Sequence, residues 1–544
     1  MFAAAALPAP SSPYTIICDA GSTGTRLYVY RLDDERGDVQ IQEGPKAVPG
    51  LSAQSRETVG PYLLPSVLEA SEMIPPEHRA ATPVHLYATA GMRFLPEEEQ
   101  KALYDAAFGS LTSSSAVPFR VERENLRTID GDDEGYFAAL AVNYLAGRLG
   151  SDLNILAAEE GTAVDWDADW QDPLVGALDL GGASAQIVFH ADGRQRRRQL
   201  MLRGSEGRVE EAGLEAGGVR RLSASADERR GVDEGPGGPV RRDDFFSISL
   251  LGYGAERMRE HLEAELVARQ RRHTSGRRLA AAASESHAAA PVSNPCGFRG
   301  HRATVDGVVY IGTGNGRRCM QALGHVMRQN ANGDLCTPGQ YCDILGAHHP
   351  RLHGDFFAIG LHYYAFAWAQ TVLKDMEERG ALGKQRGLRQ LLEAPNPPLH
   401  ALEEATDVVC SAEYSFLVDM GHANDAMLRE KLPHRCMEFC LAVSLLDRFG
   451  FSPRENHVHF VDTIQDHKAE WTLGAFLHLL NSDQTGGAST LGLKSKASNA
   501  LQRVGIFSPR PLSDSGMYYP IWLAIGGILI GCLRLITVRL RAKG

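Results

Sequence analysis

Two spaced motifs are missing from this 544-residue chain: no cysteine pair stands in a CxxC arrangement, and no Asn-x-Ser/Thr triplet occurs. The first absence speaks against a zinc ribbon, and the second removes N-glycosylation as a sign of a luminal location. An excess of basic charge is also lacking. Lys and Arg number 56 against 67 Asp and Glu, a formal charge of -11, whereas general affinity for nucleic acid needs a basic surface that displaces counterions. No nucleic-acid partner is expected. The opening MFAAAALPAP lacks the basic start and the apolar length of a signal peptide before Ser11 and Ser12, and an anchor or signal upstream of this sequence is expected instead.

What is present begins with enough apolar material, 43%, for a globular body too long for one small core, so two packed lobes are expected. The tail Tyr518 to Leu540, YYPIWLAIGGILIGCLRLITVRL, supplies the roughly 20 apolar residues that a bilayer core requires. Tyr518, Tyr519 and Trp522 suit one interface, and Arg539, Arg541 and Lys543 the cytosolic one. A C-terminal transmembrane helix over 518–540 and membrane attachment through it are therefore expected. Seven of the nine cysteines fall between Cys296 and Cys440. They are compatible with disulfides and an oxidising compartment, with one thiol left over and the connectivity open.

Strand and turn signals run from Tyr14 to Leu32: an apolar strand, the turn DAGSTGTR, then the alternating LYVYRL as the second arm of a hairpin. LVGALDLGGASAQIVFH, residues 174–190, mirrors it. Between them VHLYATAGMRFLP repeats the strand-to-loop pattern. Pro96 followed by three glutamates predicts a helix start, and Ala138–Leu149 reads as helical. Lobe one is assigned to 14–148 and lobe two to 149–474. Low-apolar, charge-rich stretches predict disordered inserts at 194–239 and 269–290. Residues 475–507 are expected to return toward lobe one.

The chemistry lies in the two turns. Consecutive glycines present backbone N–H groups inward, and the hydroxyls of Ser22, Thr23 and Thr25 add donors beside Gly24. Such a turn grips phosphate. Asp19, at the strand end, repels phosphate unless a divalent cation or its waters stand between them. Asp179 has the same relation to Gly181, Gly182, Ala183 and Ser184. Two facing turns hold neighbouring phosphates and one shared cation, with a polyphosphate in the cleft between lobes.

Beyond these turns, ordered motifs follow: ATAGMR (88–93), GDDEGYFAALAVNYLAG (131–147), LDLGGASAQI (178–187), LGYG (251–254), NPCGFRG (294–300), FFAIGLHYY (356–364) and WTLGAFL (471–477). With DAGSTGTR, this set resembles the apyrase family of nucleoside triphosphate diphosphohydrolases and Golgi nucleoside diphosphatases across essentially the whole body. The resemblance implies an α/β fold of two ribonuclease-H-like lobes of the actin-like superfamily, with the nucleotide in the cleft. It implies Glu134 as the general base that takes a proton from in-line water, with Asp132 and Asp133 crowding it upward in pKa. It implies phosphate contacts from Ser22, Thr23, Gly24, Gly182 and Ser184 and from the loop of Thr89 and Gly91, with Arg26 and Arg93 as braces or phosphate ligands. Asp19, Asp179 and Gln186 match residues that arrange Mg2+ or Ca2+ and its waters. Tyr363 and Trp471 match an aromatic pair that sandwiches the nucleobase. A luminal Golgi or endomembrane location is implied first, the cell surface second.

Two departures stand out: Phe137-Ala138-Ala139 replaces the family's Tyr-Gly-Trp, and Leu441 replaces a tyrosine five places after Cys436. The implied reaction is metal-assisted hydrolysis of the terminal phosphate of nucleoside di- and triphosphates. A catalytically lapsed nucleotide-binding membrane protein and a sugar kinase of the same superfamily are the alternatives.

Overall fold

The computed structural model describes residues 12–33, 38–156, 173–190, 238–278, 290–329, 352–382, 385–422, 426–454 and 456–486. Most of the 194–239 insert, residues 279–289 of the second insert, Cys336 and Cys342, the chain beyond 486 and the 518–540 segment lie outside them. Among the described residues no helix is long and apolar enough to cross a membrane.

Alternation along the first strand sets the layering. In β1 (Tyr14–Ala20) the side chains of Ile16, Cys18 and Ala20 enter one core while Ile17 enters another, as successive residues of a pleated strand point to opposite faces. β1 pairs antiparallel with β2 (Thr25–Leu32), and β2 with β3 (Val39–Ala47). β4 (Pro83–Ala88) joins β1 in parallel and β5 (Arg120–Thr128) follows it. The order is β3-β2-β1-β4-β5.

The second sheet repeats this pattern. β6 (Gly176–Leu180) pairs antiparallel with β7 (Ser184–His190), and β7 with β8 (Phe245–Leu251). Past the small β9 (Val292–Asn294), β10 (Arg302–Val305) and β11 (Val308–Gly312) sheet, β12 (Phe356–Gly360) lies parallel to β6 and β13 (Val458–Phe460) parallel to β12. The result is an α/β architecture with two five-stranded mixed sheets of the same order and orientation.

Between the sheets sit two helices, Gly131–Leu145 and Trp471–Gly486, in a core that takes Ile17, Tyr28 and Tyr30 from the first sheet and Ala177, Val188 and Ile359 from the second. They approach closely because Gly474 has no side chain: a Cβ there would collide with the Phe137 carbonyl oxygen. Ala138 and Ala139, both buried, lie on this helix. Phe137 stacks on Trp471 with ring centroids 6.4 Å apart, so the departure at 137–139 belongs to helix packing.

Two expectations on element bounds are corrected. The helix expected at Ala138–Leu149 begins at Gly131 and takes in the whole GDDEG motif, because the Asp130 side chain accepts from the Asp133 N–H and caps it. The stretch 269–278, expected to be disordered, continues the helix Ala255–Arg278. Arg269 and Arg272 both reach Glu265 (2.7 and 2.9 Å), one and two turns along the same helix face, pairing that composition alone understates. Cys296–Cys319 and Cys410–Cys436 are disulfides, and Cys18 and Cys440 are buried free thiols.

Candidate active site

Asp19 is the penultimate residue of β1 and Asp179 of β6, and each faces the residue that opens the return strand's polar side: Arg26 opposite Asp19, Gln186 opposite Asp179. The two glycine turns leave from equivalent ends and meet. A Cβ on Gly182 would lie 2.6 Å from Ser22 Oγ and 3.0 Å from the Thr23 methyl. Gly91 backs the first turn, its would-be Cβ 2.9 Å from Ser22 Cα, and Thr89 donates its backbone N–H to Ala20 O. In the second turn the carbonyls of Gly181, Gly182 and Ala183 accept from the backbone N–H groups of Ala255, Glu256 and Gly252, which fixes the loop by the start of the next helix. Beside Asp179, Gly360 has φ 62, and a Cβ there would stand 2.7 Å from Asp179 Oδ1. Only glycine fits that approach.

Glu134 occupies the first turn of its helix with 6% exposure. Arg93 Nη2 donates to its Oε2 at 2.6 Å and Gln186 Nε2 donates to the same oxygen at 2.9 Å. Oε1 has no partner among the described residues. Burial raises the Glu134 pKa while Arg93 and Gln186 draw it back. This corrects the expectation that Asp132 and Asp133 raise it: those acids face Arg242, at 3.7 and 3.0 Å, together with Asp130 at 3.0 Å. Gln186 also donates to Ser184 Oγ (2.8 Å) and Ser249 Oγ (3.2 Å), so it links Glu134 to the second turn.

Around Glu134 stand carboxyls with few counter-charges. Asp19 is pushed well above the usual range by burial and then by Glu470, Glu134 and Asp179. Its buried Oδ1 has no hydrogen-bond partner. Asp179 is pushed to about 8 by burial, Glu134 and Glu470. Arg26 and a backbone hydrogen bond at Leu180 offset this only in part, and clustered buried carboxylates with so little compensation suit a divalent metal ion.

The remaining expected residues divide. Ser22 and Thr23 line the meeting point of the turns, and Lys46 Nζ donates to Thr23 Oγ1 at 3.1 Å. Thr25 is buried and accepts from Tyr62 OH, which anchors the turn and leaves its own O–H free to donate. A Cβ on Gly24 would meet Lys46 Cε and the Ala47 carbonyl oxygen at 2.6 Å. Arg26 pairs with Glu43 (3.0 Å) and Glu470 (3.7 Å) and so braces. Arg93 holds both Glu134 and Ile129 O. Trp471 is 4% exposed and stacked on Phe137: its ring is a core element, in contrast to the base-sandwiching face expected of it. Tyr363 is half-buried against Tyr364, whose 42% exposed ring donates its OH to Asp462.

Glu470, Lys46 and Ser249 were missed by the sequence reading. Glu470 carried one signal, an acid directly before the apolar WTLGAFL run; Lys46 and Ser249 carried none, since only the sheet order brings them in.

The family model for the GDA1/CD39 (nucleoside phosphatase) family matches residues 8–207 and 241–499. Ectonucleoside triphosphate diphosphohydrolase 1 of Mus musculus is 25% identical over 489 residues, 86% of this chain and 81% of that protein. A probable guanosine-diphosphatase of Aspergillus fumigatus is 24% identical over 500 residues, 87% and 86% of the two chains. Among solved structures, nucleoside triphosphate hydrolases from Neospora caninum share the fold, with a TM-score of 0.53, 17% identity and coverage of 87% of this chain and 93% of that one. Paired turns, clustered carboxylates and the match along most of the chain lead to one assignment: this protein belongs to the GDA1/CD39 (nucleoside phosphatase) family and is a nucleotide phosphohydrolase.

Proposed function

We propose that the chain hydrolyses the terminal phosphate of nucleoside di- and triphosphates in the presence of Mg2+ or Ca2+, with Glu134 as the general base. One observation carries this reading: Glu134 is gripped twice through Oε2, by Arg93 and Gln186, which leaves Oε1 to accept a proton from water. A bound divalent cation, held by Asp19 and Asp179 through its waters, would neutralise the phosphates. The residues do the rest. Ser22, Thr23, Gly182 and Ser184 and the backbone donors of both turns hold the phosphoryl group and stabilise charge as it spreads over the group's oxygens. Lys46, beside Thr23, adds a positive charge at the same edge. Glu134 directs water in line with the leaving oxygen. Tyr363 and Tyr364 offer the base an aromatic surface, a contact tolerant of base identity.

We further propose that the two repeated sheets are ribonuclease-H-like lobes, and that the 518–540 segment anchors the protein in an endomembrane with its body in the lumen. Two disulfides support an oxidising compartment. Phosphate release from UDP, GDP, ADP and the matching triphosphates, without any acceptor and with Mg2+ or Ca2+, tests the activity. Release from at least one of them is expected. Phosphate transferred only to a sugar, or intact nucleotide binding without hydrolysis, would overturn it.

A further inference from the structure

A cavity lies away from the paired turns, between the helices Gly316–Gln329, Leu399–Cys410 and Arg435–Phe449, which pack against one another. None of these helices carries a residue of the active site. Its volume, about 640 Å³, is that of a small-molecule site. Where three packed helices normally interlock apolar side chains, these present polar ones at helical spacing: His400, Glu403, Glu404 and Asp407 on one, Ser444, Asp447 and Arg448 on another.

Charges of both signs line the cavity, and among the described residues only Arg317 and Asp407 pair across it. Arg448 Nη2 and Arg328 Nη1 reach one point, 3.1 and 3.6 Å from where a Cβ on Gly324 would stand. Neither guanidinium has an ion-pair partner among the described residues, although Arg317 does pair with Asp407 at 3.0 Å. Two convergent, unpaired guanidiniums are an anion site that fits phosphate by forked donors. Elsewhere on the wall Glu403 and Asp447 come close enough that Asp447, after burial, raises the Glu403 pKa. Neither carboxylate has a hydrogen-bond partner among the described residues. Ser444, 5% exposed, has a buried hydroxyl with no partner. It does not fold back on its own helix, as helical serines commonly do, and a buried hydroxyl left so is costly unless a ligand engages it.

We propose that this cavity binds a phosphorylated polyol, a sugar phosphate, with its phosphate between Arg328 and Arg448 and its hydroxyls donating to Glu403 and Asp447. Inorganic phosphate would leave the acids unmatched, and a cation would leave the arginines unmatched. A nucleotide would find no Phe, Tyr or Trp ring among the lining residues on which to stack its base, and the His400 imidazole is already tied through Nδ1 to the Pro453 carbonyl oxygen. The site is independent of the hydrolytic reading, since it shares no residue with the cleft.

Calorimetric titration of the full chain with glucose 6-phosphate, inorganic phosphate, glucose and AMP tests it. Glucose 6-phosphate should bind about tenfold or more tighter than phosphate or glucose, because charged and hydroxyl contacts add. Arg328→Gln, at an exposed position, and Arg448→Gln should each weaken that binding by about tenfold, whereas Glu403→Gln should reduce the preference over phosphate. Nucleotide hydrolysis by each variant, with a thermal melt, reports the folded state. Glu134→Gln should leave glucose 6-phosphate binding intact. The proposal fails if glucose 6-phosphate gives no heat at millimolar concentration, if phosphate binds as tightly, if AMP binds tighter, or if Arg328→Gln binds like the parent.

Discussion

Replacing Glu134 separates its chemical task from its structural one. Both donors that hold it, Arg93 Nη2 and Gln186 Nε2, converge on Oε2. In Glu134→Gln a single amide oxygen can keep both bonds, so the change removes the charge and the basic oxygen at Oε1 with little rearrangement. General-base catalysis contributes about 10² to 10⁴ in rate, equivalent to roughly 3 to 5 kcal/mol of barrier at 1.36 kcal/mol per decade. Turnover should fall by that factor while nucleotide Kd changes little. Glu134→Ala differs: it strands the Arg93 guanidinium, whose side chain is only 12% exposed, and breaking a buried pair from one side costs about 3–5 kcal/mol. The alanine variant should therefore melt lower as well as turn over slowly. Stopped phosphate-release kinetics, nucleotide titration and thermal melts measure the three quantities. Parental turnover in Glu134→Gln would refute the assignment of the base. Equal melting of the two variants would refute the claim that the Arg93 pair is structural.

Four other outcomes follow from the geometry. Gly182→Ala places a methyl 2.6 Å from Ser22 Oγ and should displace the facing turns enough to cut kcat/KM by about 10², seen in steady-state kinetics. Trp471→Ala should destabilise by about 3–5 kcal/mol in urea unfolding, whereas Tyr363→Ala should chiefly raise KM. Mg2+ or Ca2+ at about 100 times its Kd should stabilise chelated protein by about 2.7 kcal/mol, and Asp179→Asn should abolish most of that rise in Tm. His362 is fully buried without a partner and its pKa is lowered from 6.5 to about 3. Between these values the unfolded chain binds the extra proton, so stability falls as pH drops through that window, by about 2 kcal/mol at pH 5. His362→Leu should flatten that part of the stability–pH curve in urea melts.

Several parts of the architecture were readable from local pattern because their causes are local. The Asp19 and Asp179 turns follow from an apolar run ending in a carboxylate and glycines, and Pro96 with its glutamates opens the helix Glu97–Ser113. The helix around Glu134 starts seven residues before its apolar stretch, since its start depends on a capping contact from Asp130 more than on apolar periodicity. The burial of Trp471 against Phe137 is illegible for the opposite reason. A tryptophan in a recognisable motif carries no mark of which face it turns to, and that is set by Phe137 on a helix more than 300 positions earlier in the chain.

Residue order alone determined the two strand-end glycine turns and the family's motif sequence, because each rests on neighbours a few bonds away. Tertiary structure decided which oxygen of Glu134 is free, that Gln186 and Arg93 hold the other, and that Glu470 and Lys46 join the site. These depend on two sheets closing on the same pair of helices, a long-range arrangement that juxtaposes groups with no relation along the chain.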